Sequence, residues 1–156
     1  MEVIQIISQT TVPIIFISAI GLLTLTFQNR YARIKDSVYA FQKQRIIYMQ
    51  SSEQQKAQEA EKMLMFYQKE AKMIKDAMLG AFFSILFIAL TSFLIMIRGI
   101  WEIDSLYLDI PLLLSFTFAV LSLVVSVSLI IAAMVLSVKT LNYEVKNDED
   151  GIRFGL

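Results

Sequence analysis

The chain has 156 residues, with Lys+Arg and Asp+Glu balanced at 14 each and no histidine or cysteine. At 56% hydrophobic and 18% charged it is too apolar for an ordinary soluble domain. The missing residue types exclude disulfides, thiolate metal sites and histidine acid–base chemistry, and zero net charge without a glycine-rich phosphate loop leaves nucleic-acid binding unsupported.

Apolar stretches at residues 3–27, 78–97 and 110–138 are uninterrupted by charge. Each is close to the roughly 20 residues that cross a hydrocarbon core of about 30 Å. They predict an all-α membrane protein with three transmembrane helices and a long cytoplasmic antiparallel helical hairpin between the first and second. Helix 1 is expected over 1–28, the hairpin over 29–77 and helix 2 over 78–98. An external acidic loop comes next over 99–109, then helix 3 over 110–138 and a cytoplasmic tail over 139–156.

The first stretch carries Glu2, no Lys or Arg, and no small-residue cleavage pattern, so it is expected to be retained rather than removed as a signal peptide. Within it Ser8, Thr11, Ile15, Ser18 and Leu22 recur about every 3.5 residues, with Gln5, Gln9 and Thr10 adding polarity at the outer end. This face has three readings: packing within one bundle, a dry seam between subunits, or the lining of a pore in a ring of subunits. In the pore reading Ile15 and Leu22 are the apolar constrictions. Pro13 predicts a kink.

Residues 29–50 and 55–77 lack Gly and Pro and are rich in helix formers. Ile34, Val38, Phe41, Arg45 and Tyr48 in the first half, and Ala60, Leu64, Tyr67, Ala71, Ile74 and Met78 in the second, alternate spacings of three and four. That is a coiled-coil seam, interrupted by one arginine. Ser51–Gln54 is the natural turn, with Ser52 a candidate N-cap. The hairpin holds ten Lys and Arg against six Asp and Glu, whereas Glu102, Asp104 and Asp109 face only Arg98 in the second connection. The positive-inside rule therefore places the hairpin and C-terminus in the cytoplasm and the N-terminus outside.

Ala77, Gly80, Ser84 and Thr91 form a small-residue stripe leading along helix 2, and Ser115, Ala119, Ser122, Ser126, Ala133 and Ser137 a longer one on helix 3. Such stripes let helix backbones approach closely and predict the packing faces of the bundle. Asn147–Gly151 is acidic and lacks the spacing of a calcium loop, so it is read as a solvated tail. With no ionisable residue inside a span and no inverted repeat, a proton-coupled transporter lacks its usual centre.

The segment Asn29–Asp36 after the first stretch and Leu141–Val145 after the third resemble the signature segments of a family of small three-span bacterial membrane proteins known only as a domain of unknown function. The resemblance implies a bacterial inner membrane and carries over no catalytic residue. Arg30 and Arg33 are expected at the inner interface, paired with some of Asp36, Asp76 and Glu144, or alternatively touching lipid headgroups. These readings converge on a homo-oligomeric membrane protein, surrounded by lipid, with a structural or regulatory role and a protein partner at its hairpin. The alternative is an ion channel lined by helix 1. Neither an enzyme nor a cofactor is expected.

Overall fold

The computed structural model describes residues 3–51, 53–101 and 106–149 and folds them into three α-helices. These are α1 (Val3–Gln50), α2 (Gln54–Trp101) and α3 (Leu106–Glu149). Their 48, 48 and 44 residues make rods of about 65–70 Å at 1.5 Å per residue, twice what a hydrocarbon core requires. Each helix therefore serves two compact units. One combines Met1–Phe27 with Ala77–Val127, the other Gln28–Asp76 with Ser128–Leu156.

Among the described residues two helices are long and apolar enough to cross a membrane, α2 within Gln54–Gly99 and α3 within Leu108–Tyr143. This corrects the expectation of three transmembrane helices. The reason lies in the composition of α1. Gln5, Ser8, Gln9, Thr10 and Thr11 make its first part polar, and Pro13, Ser18, Thr24 and Thr26 dilute the stretch that leads to Gln28 and Arg30. Over residues 3–27 these polar interruptions outnumber those in the apolar run of either α2 or α3. The hairpin accordingly precedes the first of two candidate spans rather than joining two of them.

In the first unit, Ile20 of α1 packs against Ala81 and Ile88 of α2 and Ala119 of α3, with Ile17, Ile85, Phe87 and Leu123 around them. Thr24 is buried there because its hydroxyl donates to its own helix, at the Ile20 carbonyl, 2.8 Å away. The helix is continuous through Pro13, beside which lies a small cavity of 70 Å³ also lined by Phe16, Ser84, Phe116 and Val120.

The second unit is built from all three helices. Phe41, Met63 and Leu64 form its core, with Val38, Phe66, Tyr67 and Tyr143 packed on it. Phe41 stacks on Tyr67 at 5.4 Å between ring centroids, and Tyr143 meets Phe66 at 6.1 Å. Residues 139–149, expected as a tail, thus continue α3, and Tyr143 packs on the core of this unit. No Gly or Pro interrupts them, so nothing stops the helix. Arg45, the interruption in the seam, reaches Glu61 at 3.6 Å.

The turn between α1 and α2 is closed locally. Ser51 N–H donates to the Ile47 carbonyl and Glu53 N–H to that of Tyr48. Glu53 accepts from Lys56 at 2.7 Å, and this hydrogen bond, with the charge attraction behind it, raises the Lys56 pKa above its ordinary value. Lys56 also lies over the Tyr48 ring, 5.8 Å from its centroid. The expected cap, Ser52, and the acidic pair Glu102 and Asp104 lie outside the described residues.

Gly80 sits at a close approach of α2 and α3. A Cβ there would meet Ser126 Cβ at 3.2 Å and the Ser122 carbonyl at 3.3 Å, whereas one at Gly21 would meet nothing within 4 Å. Gly80→Val should cost about 1–3 kcal/mol through overpacking. Gly21→Ala should be neutral or stabilising by up to about 1 kcal/mol. Unfolding in detergent, followed by circular dichroism, checks both.

Candidate functional site

Two polar constructions stand out, one in each unit. In the first unit four serine hydroxyls of α3 and α2 are spent on backbone carbonyls of the facing helix. Ser126 donates to the Ala77 carbonyl at 2.7 Å, Ser122 to Gly80 at 2.7 Å, and Ser84 in the other direction to Ala119 at 2.9 Å. Farther along, Ser115 donates to the Phe87 carbonyl at 2.9 Å and lies 3.0 Å from the Thr91 hydroxyl, which itself reaches Phe87 at 2.8 Å.

Numbers rise along α2 as they fall along α3, so the two helices run antiparallel. Their alternating steps of three and four are the rhythm of side-by-side helices crossing at a shallow angle. From Ala77 to Thr91 this ladder extends about 21 Å. Beyond it Arg98 pairs with Asp109 at 2.5 Å. Every residue assigned to helix packing, namely Gly80, Ser84, Ser115, Ala119, Ser122 and Ser126, lies on this contact.

In the second unit the central feature is an ion pair. Arg30 of α1 donates from Nη2 to Glu70 Oε1 of α2 at 2.7 Å. Glu70 is 1% exposed and Arg30 half-buried. Its other oxygen, Oε2, is buried with no hydrogen-bond partner among the described residues. A carboxylate so placed depends on one guanidinium for its compensation.

Arg30 therefore has a partner that the sequence pattern did not reveal. Arg33, Asp36 and Asp76 are exposed and do not join the pair. The Glu144 side chain lies outside the described residues. The missed signal is a matter of phase. On α2 the buried or half-buried positions run Ala60, Met63, Tyr67, Glu70, Ile74, Ala77, Ala81, Ser84, Ile88 and Thr91, in unbroken steps of three and four. At one step either Glu70 or Ala71 satisfies the period. An apolar preference selects the alanine, whereas the fold buries the glutamate.

The helix 1 face is placed differently. Thr11, Ile15, Ser18 and Leu22 are all exposed, Leu22 at 68%. The Ser18 hydroxyl donates to the Ile14 carbonyl of its own helix at 3.1 Å. Ser8 belongs to α1, and its side chain lies outside the described residues. Among the described residues no group of three or more acidic side chains could hold a metal ion.

A family model for proteins of unknown function, DUF2721, matches residues 10–143. The chain belongs to this family. The matched stretch includes Arg30, Glu70 and every rung of the ladder. No curated protein and no solved structure matches the chain.

Arg30→Ala should destabilise the protein by about 3–5 kcal/mol, because it strands a buried carboxylate, while the double replacement Arg30→Met with Glu70→Leu should come within about 1 kcal/mol of the original. Ser84→Ala, Ser122→Ala and Ser126→Ala should each cost about 0.6 kcal/mol and no more than about 1.7. Ser18→Ala should be silent, since its bond is local. Chemical denaturation in detergent reads all of these.

Proposed function

We propose that this protein is a homo-oligomeric membrane protein anchored by α2 and α3, which acts as a structural or regulatory module through its α1–α2 hairpin. One observation carries the reading. The apolar windows of α2 and α3 are each only 22% buried within the protein. A core helix of a soluble protein hides most of such a window. Here Leu79, Phe82, Phe83, Leu86 and Phe93 on α2, and Leu113, Phe118, Val124 and Ile131 on α3, remain exposed. Apolar surface on this scale calls for lipid.

The excess of Lys and Arg over residues 28–76 supports a cytoplasmic hairpin, in a bacterial inner membrane, with α2 leading out and α3 returning. Near the hairpin turn Ile46, Ile47 and Met49 are exposed, a surface suited to an apolar partner. The exposed α1 face of Ile15, Ser18 and Leu22 supports contact between copies. With the Ser18 hydroxyl already bonded inside its helix, that face needs no water, which favours a dry seam over a pore.

The chain has no cysteine, so single introduced thiols report cleanly. Ser51→Cys at the turn should resist a membrane-impermeant maleimide until the cells are opened, and labelling of intact cells would reverse the orientation. Ser18→Cys should form a disulfide-linked dimer on oxidation, with a particle mass in detergent above that of one chain. A monomeric mass without crosslinking would remove the oligomer. A ring of four or more that conducts ions would replace the dry seam by a pore.

A further inference from the structure

The second unit carries a cleft of 510 Å³ lined by Tyr31, Lys35, Val38 and Tyr39 of α1 and by Gln68, Ala71, Lys72, Lys75 and Asp76 of α2. Its charge is lopsided, with three ammonium groups facing the single carboxylate of Asp76. Among the described residues none of the three lysines is held in an ion pair, in contrast to Lys56 and Arg45, which are. Lys35 is instead steered over the ring of Tyr39, 5.7 Å from its centroid. The floor between the charges, Val38 and Ala71, is apolar, and the phenol of Tyr31 adds a hydrogen-bond donor.

The position of the cleft along the helices selects its occupant. Lys75 and Lys72 precede Ala77, where the apolar run of α2 begins, by two and five residues. That is about 3 and 8 Å along the axis. A bilayer whose hydrocarbon core is about 30 Å and whose full thickness is about 40–45 Å has a headgroup layer of some 5–8 Å on each side. The lysines of α2 therefore fall at headgroup depth, next to a helix that enters the hydrocarbon.

We infer that this cleft is a binding site for the phosphate headgroup of an anionic phospholipid, held by Lys35, Lys72 and Lys75. The surplus of positive charge matches a phosphodiester, the Val38–Ala71 floor accepts the glycerol backbone, and Asp76 is placed to accept from a headgroup hydroxyl. The inference rests on the membrane reading above.

The test uses the purified full chain in neutral detergent, titrated with phosphatidylglycerol, phosphatidylcholine or inorganic phosphate while its unfolding temperature is followed. Phosphatidylglycerol should raise that temperature and phosphatidylcholine should not. Apparent affinity should fall about five-fold for each lysine removed in the variant Lys35→Gln, Lys72→Gln, Lys75→Gln. The arginine triple at the same positions should keep the response. So should Lys43→Gln, Lys62→Gln, Lys69→Gln, which removes equal charge from exposed positions elsewhere in the same unit.

Equal losses in both glutamine triples would reduce the effect to diffuse electrostatics and overturn the site. An equal response to inorganic phosphate would make the ligand a free anion rather than a lipid. Carbonate extraction distinguishes failure of the cleft from failure of the anchoring. A chain that stays in the membrane yet ignores phosphatidylglycerol refutes the cleft alone, whereas one released into solution refutes the anchoring as well.

Discussion

The contact between α2 and α3 depends on backbone being reachable. A serine hydroxyl extends only a short way from its own helix, so it meets a facing carbonyl only if the helices lie close together. Ala77, Gly80, Ala119 and the serines themselves supply that closeness. In water such hydrogen bonds would compete with solvent and contribute little. In an apolar surrounding an unmet hydroxyl has no alternative partner outside its own helix. Removing bulk and pairing polar groups are therefore one device here, and at Gly80 there is little room for more.

The second unit solves a different problem with a different bond. Its seam continues the same three-and-four rhythm, but to small residues such as Ala60 it adds aromatic rings and the Arg30–Glu70 pair. Apolar rings are interchangeable in register, and a seam of them could slide by a turn at modest cost. A buried carboxylate with a single guanidinium to answer it cannot slide without losing that partner. The pair thus fixes α1 against α2 along their length, in a hairpin whose connection is only a short turn at Ser51–Glu53.

Much of this was legible in the chain. Small residues at helical spacing in an apolar run have few uses, and the stripes on α2 and α3 lie on the contact. The turn near Ser51 is dictated by two helix-forming stretches that meet there. What was not legible has specific causes. A mean over residues 3–27 hides that the polar side chains of α1 are concentrated at one end, so its uniformly apolar length is overstated. Glu70 carries no signal in the pattern, because charge on a polar helix is ordinarily solvated and nothing local marks the one that is buried. The end of α3 reads as a tail because its composition is polar, although a polar helix holds when Tyr143 has Phe66 to rest against.

The ladder also has a mutational asymmetry. Its acceptors at Ala77, Gly80, Phe87 and Ala119 are main-chain oxygens, which no codon change can delete. Its donors are side chains, and a single nucleotide suffices to lose one. Drift at the acceptor positions is limited by volume alone, so residues of similar size can replace one another there. The donor positions are limited by chemistry, to serine and threonine. Related chains should therefore exchange residues of similar volume on one side of each rung and favour serine or threonine on the other.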